Sequence, residues 1–291
     1  MDHTILIAAI EQVTAERIRP EQVSPVGGGC INAAWIVRAG ERRYFLKVNQ
    51  ADRLAMFEAE QQALQALAAA QAVRVPQPYG CTVVGPWAFL VMEALELGSR
   101  GRSAELGEQL AALHRVSQPY FGFMADNFIG TTKQPNGWKA DWVSFYRERR
   151  LGHQLALARQ RGLPGRILEA GERLCEVLPV FFSDYNPQPS LLHGDLWSGN
   201  YGFLIDGTPV LFDPASYYGD READIAMTEL FGGFDQTFRV AYEQSWPLDP
   251  GYAQRRELYN LYHILNHYNL FGGGYGRQAE SLIQRLLAET H

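Results

Sequence analysis

The run Leu191-Leu192-His193-Gly194-Asp195-Leu196-Trp197-Ser198-Gly199-Asn200 gathers residue types suited to moving a phosphoryl group. Asp195 offers a carboxylate able to accept a hydroxyl proton. Asn200 offers an amide oxygen able to hold a divalent ion. A second apolar run, Pro209-Val210-Leu211-Phe212, delivers another carboxylate at Asp213. Transfer from a nucleotide needs these parts: one proton acceptor, and hard oxygen donors that keep magnesium against the phosphates. Gly194 and Gly199 let the backbone turn tightly around them. Asp and Asn after a strand are also ordinary turn formers. The histidine before Asp195 and the separate strand leading to Asp213 favour the chemical reading.

A lysine suited to the phosphates lies far upstream. Tyr44-Phe45-Leu46-Lys47-Val48 reads as a strand, and a lysine between two apolar residues is costly to bury without a partner. Alternation turns Lys47 to the face opposite Leu46 and Val48. On a strand edge it would simply be solvated. The next helix, from about Arg53 to Gln71, carries Phe57, Glu60, Leu64 and Leu67 at intervals of 3, 4 and 3, which is one helical face. Glu60 therefore points into the apolar stripe, whereas Glu58 faces elsewhere. A carboxylate on that stripe calls for a cation, and Lys47 fits. Upstream, Gly27-Gly28-Gly29-Cys30 opens a β-hairpin that turns at Ala39-Gly40. Glycines without Cβ atoms can lay backbone N–H groups over phosphates, although this run lacks the spacing and the Lys-Ser/Thr of a Walker loop.

The elements that must position these groups divide into two lobes. A helix over 4–18, the hairpin, the helix over 53–71 and strands Gly80 to Val84 and Trp87 to Met92 make a small β-rich lobe, residues 1–94. Met92-Glu93-Ala94 then reads as a link whose backbone N–H and C=O groups suit an adenine edge. The larger, mainly helical lobe covers 95–291, with helices over about 104–116, 139–161, 164–180, 252–270 and 278–288. The class is α+β. Residues 120–136 show little periodicity and read as an irregular, substrate-facing loop. After Asp213, Asp220 reads as a helix N-cap, with Glu222 and Asp224 complementing the first-turn dipole. The alternative for Asp224 is to reach back to the catalytic turn. Only about ten residues separate Asp213 from this helix and no Ala-Pro-Glu follows, which argues against a signalling protein kinase.

With 291 residues, 46% of them hydrophobic and 20% charged, the composition is that of a folded globular protein. A net charge of −6 argues against a nucleic-acid partner, which needs a basic stripe. No apolar run approaches the ~20 residues of a membrane span, and Met1-Asp2-His3-Thr4 does not begin like a signal peptide, so a cytoplasmic protein is expected. Cys30, Cys81 and Cys175 are too few and too scattered for a disulfide framework or a zinc site. Cys81 and Cys175 read as small core residues.

His193 to Asn200, Phe212-Asp213-Pro214-Ala215 and Tyr218-Gly219-Asp220-Arg221-Glu222-Ala223-Asp224 together resemble the fructosamine kinase (ketosamine-3-kinase) family. That family belongs to the protein-kinase-like group, alongside aminoglycoside and choline kinases. Lys47-Val48-Asn49, Gln134-Pro135-Asn136 and Leu270-Phe271-Gly272-Gly273 extend the likeness over nearly the whole chain. The resemblance implies a two-lobed protein-kinase-like fold and ATP-dependent phosphorylation of the sugar 3-hydroxyl of a small or protein-bound ketosamine. The phosphorylated adduct then falls apart and restores the amine. It also implies site roles. Asp195 is the base, Asn200 and Asp213 hold Mg2+, Lys47 grips the phosphates and Glu60 orients Lys47. Gly27, Gly28 and Gly29 cover the phosphates, and Met92, Glu93 and Ala94 contact adenine. Trp197 and Tyr218 face the substrate, with core packing the alternative for Trp197. In some relatives the glycine-loop cysteine links two subunits, so Cys30 is either a redox bridge of a homodimer or a small turn residue in a monomer. Aminoglycoside or choline-type phosphorylation and a nucleotide-binding pseudokinase scaffold are the competing functions. The second is disfavoured because Lys47, Asp195, Asn200 and Asp213 are all present.

Overall fold

The computed structural model describes residues 1–27 and 31–290, so Gly28, Gly29 and Cys30 lie outside the described residues. The chain forms two compact units. The first comprises Met1–Arg102 and Tyr201–Pro214, the second Ser103–Asn200 and Ala215–His291. The expected single break at 94/95 thus differs from the observed division. The chain leaves the first unit after Arg102 and returns to it for the short stretch that delivers Asp213.

In the first unit, helix α1 (His3–Thr14) starts where Asp2 accepts from the Thr4 N–H at 3.0 Å. It stops at Ala15, whose φ of 56° is left-handed, several residues short of the Ile18 expected from periodicity. Five antiparallel strands follow: β1 (Gln22–Val26), β2 (Ala33–Ala39), β3 (Arg42–Gln50), then, after helix α2 (Leu54–Ala69), β4 (Pro78–Val84) and β5 (Trp87–Glu93), in the order β1-β2-β3-β5-β4. Alternation sorts β3 cleanly. Tyr44, Leu46 and Val48 join Leu6, Ala9 and Ile10 of α1 in one core together with Val37, Phe89 and Val91. Phe45 and Lys47 take the other face, towards α2.

The second unit opens with α3 (Ser103–His114). Where an irregular loop is expected over 120–136, a hairpin forms from β6 (Asn127–Ile129) and β7 (Thr132–Gln134), turning at Gly130 with φ +61°. Its strands are too short for periodicity to register. The expected 139–161 helix divides into α4 (Trp142–Phe145), a π-helical turn over Tyr146–Leu151 and α5 (Gly152–Gln160). Helix α6 (Gly165–Val177) leads to β8 (Ser190–Leu191), which runs into the His193–Asn200 turn. Hairpin β9 (Tyr201–Phe203) and β10 (Pro209–Leu211) belongs to the first unit, where the Leu211 N–H donates to Arg74 O at 2.9 Å. Back in the second unit, β11 (Tyr218–Gly219) pairs with β8, and α7 (Glu222–Leu230), α8 (Gln236–Ser245), α9 (Tyr252–Phe271) and α10 (Tyr275–Ala288) follow. Helix α8 is not anticipated by the sequence pattern, and α10 begins before the expected Gln278. Cys175 is buried as expected, whereas Cys81 is partly exposed. No helix among the described residues is long and apolar enough to cross a membrane.

Candidate functional site

Three of the expected residues meet within the first unit. The Lys47 ammonium donates to Glu60 Oε1 and to Asp213 Oδ1, both at 2.6 Å. Lys47 is 7% exposed, so the cation is desolvated and held by two carboxylates. Burial alone would lower its pKa, but Asp213 and Glu60 outweigh that and raise it, so Lys47 stays charged. Glu60 is pushed up to about 7, chiefly by burial and with Asp213 adding repulsion, while Lys47 opposes the shift. The 3,4,3 spacing thus identifies the right glutamate. Asp213 has φ +56°, a left-handed backbone that Asp tolerates better than most residues and that costs conformational energy. Such strain at the end of β10 turns the carboxylate towards Lys47 rather than continuing the strand.

Glu93 and Ala94 are less available than the sequence suggests. The Glu93 N–H already donates to Gln77 O at 2.9 Å and the Ala94 N–H to Arg43 O at 3.1 Å. An adenine contact from these two residues therefore uses carbonyl oxygens. The Glu93 side chain is committed as well, accepting from Arg74 Nη2 at 2.5 Å on both oxygens and from the Gln77 N–H at 3.1 Å. Nothing local in the sequence marks Arg74 for this part.

The turn over residues 193–200 lies in the second unit. Gly194 has φ +85°, and a Cβ there would fall 2.1 Å from Ala215 O, so no other residue fits. The Asp195 N–H donates to His193 Nδ1 at 3.3 Å, which makes the buried His193 a brace of the turn. Asn200 Nδ2 donates to Asp195 O at 2.8 Å and lies 3.3 Å from Asp195 Oδ2. The Asn200 amide nitrogen is thus engaged on the turn. An amide oxygen such as that of Asn200 and a carboxylate such as that of Asp213 are each the kind of hard donor magnesium prefers. Trp197 is 39% exposed, which rules out core packing, and a Cβ on Gly199 would meet its ring at 2.3 Å. Tyr218 is half-buried, 6.4 Å between ring centroids from both Phe123 and Trp138.

Asp224 is a correction to the capping expectation. Its Oδ2 accepts from the His193 N–H at 2.7 Å and its Oδ1 from the Gly194 N–H at 2.8 Å. His114 Nε2 lies 3.2 Å from Asp224 Oδ2, and His114 Nδ1 lies 2.8 Å from the Tyr242 hydroxyl, which itself accepts from Arg221 Nη1 at 3.0 Å. The arrangement has one consistent direction. Arg221 donates to Tyr242, Tyr242 to His114, His114 to Asp224, and Asp224 receives the turn. Asp220 is not the cap either: Arg221 takes that position, one residue on, and Asp220 Oδ1 instead accepts from the Glu222 N–H at 3.0 Å while its carboxylate also binds the Tyr185 and Tyr259 hydroxyls. Glu222 forms a buried pair with Arg255 at 2.7 Å.

A model described as fructosamine kinase matches residues 2–289. A Synechocystis sp. protein with a provisional ketoamine kinase name is 47% identical over 281 residues, covering 96% of this chain and 94% of that protein. The chloroplastic protein-ribulosamine 3-kinase of Arabidopsis thaliana is 43% identical over 271 residues, covering 91% of this chain and 82% of that protein. Among solved structures, a thermostable mutant of aminoglycoside phosphotransferase APH(4)-Ia aligns over 99% of both chains with a TM-score of 0.66 and 15% identity, a likeness of fold.

Proposed function

Because this chain belongs to the fructosamine kinase family, we propose that it transfers the γ-phosphoryl group of ATP to the sugar 3-hydroxyl of a ketosamine. The observation that carries the reading is the desolvated Lys47, shared at 2.6 Å between Glu60 and Asp213. A permanently charged lysine fixed by a helix glutamate is suited to gripping nucleotide phosphates, and a structural ion pair would not need a third member on a strained backbone. Asp195 accepts the proton of the attacking hydroxyl. Asn200 and Asp213 hold magnesium, which neutralises charge on the phosphates when bound. Gly27 and the two glycines after it cover the phosphates. The adenine rests on the Lys47 face of the sheet, where half-buried Ile36 and Phe45 pair in register. Beyond Phe45 along β3 that face hollows into a cavity of about 490 Å3 lined by residues including Ser24, Ile36, Arg43 and Glu96. Trp197 and Tyr218 offer ring faces to the substrate, and the protein works in the cytoplasm on glycated amines.

The test is ADP release with magnesium across ketosamines, aminoglycosides and aminoalcohols. Turnover confined to ketosamines, and lost in Asp195→Asn, is expected. Turnover of aminoglycosides in preference to ketosamines overturns the substrate. An undiminished Asp195→Asn overturns the base.

A further inference from the structure

An exposed aromatic strip in the second unit is built too rigidly to be an accident of the surface. Residues 121–123 are laced on both sides. Phe121 and Lys139 exchange N–H and C=O bonds at 2.8 and 2.9 Å, the Phe123 N–H donates to Asn136 O at 2.9 Å, and Gly122 and Tyr218 exchange bonds at 2.9 and 2.8 Å. Phe121 and Phe123 are buried, which leaves Tyr120, Gly122 and Met124 on the alternate face. Gly122 has no room for a side chain there: with φ at +129°, a Cβ would lie 2.4 Å from Asn136 O and 3.0 Å from Cε3 of Trp138, whose ring lies alongside. Tyr120, Met124 and Trp138 are 52%, 68% and 44% exposed. The neighbouring Tyr217 turns inward, where the buried Arg150 guanidinium stacks 3.9 Å from its ring, pinning the strand that presents Tyr218. An aromatic and methionine surface held on a hydrogen-bonded frame marks an interaction site.

We infer that Trp138, with Tyr120 and Met124, docks the polypeptide that carries a glycated lysine, and so sets the preference for protein-bound over small ketosamines. This rests on the ketosamine kinase activity proposed for the chain. The occupant follows from position and chemistry. Tyr218 pairs with Leu191 of β8, the strand that enters the Asp195 turn, so the strip is continuous with the catalytic segment. A sugar 3-hydroxyl placed on Asp195 leaves the lysine backbone roughly 10 Å away along ordinary single bonds, at the distance of a neighbouring strand or two. Glycation strikes lysines in many sequence contexts. Rings and a flexible thioether accept varied flanking side chains without a fixed hydrogen-bond code, as a promiscuous surface must.

The experiment compares one sugar on two carriers: a ribulosamine of 6-aminohexanoate, and the same ribulosamine on lysines of unfolded, ribosylated lysozyme. Trp138→Ala should raise KM for the protein carrier about tenfold, leave kcat near wild type, and change kcat/KM for the small carrier less than twofold. Trp138→Phe should recover most of the loss, and Met124→Ala should shift the same ratio in the same direction. Equal losses on both carriers, or no loss on either, overturn the inference. Binding of a ribulosyl-lysine peptide measured without ATP reports docking independently of turnover: equal affinity for wild type and Trp138→Ala overturns it. Failure of the wild type to phosphorylate even the small carrier strikes instead at the ketosamine kinase activity.

Discussion

Asp224, on the first turn of α7, holds the backbone N–H groups of His193 and Gly194 at 2.7 and 2.8 Å, so helix α7 carries the turn in which Asp195 lies. Both carboxylate oxygens are used, and both N–H donors lie in buried residues where water cannot replace them.

Removing that acceptor should be expensive. Asp224→Ala leaves two buried N–H groups unpaired, each costing about 1–3 kcal/mol. A fall in Tm of roughly 5 °C or more is expected by calorimetry. In the folded fraction kcat should drop while KM for ATP stays put, since Lys47, the residue proposed to grip the nucleotide, belongs to the other unit.

His114 should make the same brace sensitive to acid. Burial lowers its pKa below the ordinary imidazole value of 6.5, with Asp224 only partly opposing. The unfolded chain therefore takes up a proton that the folded chain resists. Its contribution to stability is full above pH 6.5 and is lost as the pH falls through the lower folded value. Denaturant midpoints at pH 7.5 and 5.5 should converge in His114→Gln compared with wild type, after allowing for a lower starting stability.

Arg74 should couple Glu93, in the segment proposed to meet adenine, to the strand that delivers Asp213. Its guanidinium holds Glu93 and its carbonyl receives the Leu211 N–H. The pair is about one-third exposed, so screening limits its direct worth to ~1 kcal/mol. Arg74→Ala and Glu93→Ala should each raise KM for ATP a few-fold, and the double variant should be no worse than the poorer single. Additive losses in a double-mutant cycle would show that the two act separately.

Trp197 should affect the acceptor substrate alone. It stands two residues after Asp195, the proposed base, and its exposed ring lies over Gly199, so Trp197→Ala should raise KM for the ketosamine about tenfold, the effect of ~1.4 kcal/mol, with KM for ATP unchanged. Because the ring is not core, Tm should move little.

Much of the chemistry is legible in the sequence because it is local. The order of His193, Asp195 and Asn200 survives any packing of the chain, and the stripe of Phe57, Glu60, Leu64 and Leu67 is a property of helical pitch. From these the lysine partner, the β-rich and helical division and the family resemblance all follow. Other features depend on partners distant in sequence, and there the letters are mute. Asp224 resembles a helix-capping residue because acidic first turns usually are; only the packing of α7 and α3 against the turn decides that it braces His193 and Gly194 instead. Hairpin β6–β7 and helix α8 leave no clear trace because three-residue strands and a short helix carry too few periods to stand out. Arg74, Arg150 and Trp138 are unremarkable as single residues. Their meaning comes from a carboxylate, the Tyr217 ring and a bare glycine brought beside them, since a side chain's energy depends on what desolvates and contacts it, and tertiary folding alone chooses those neighbours.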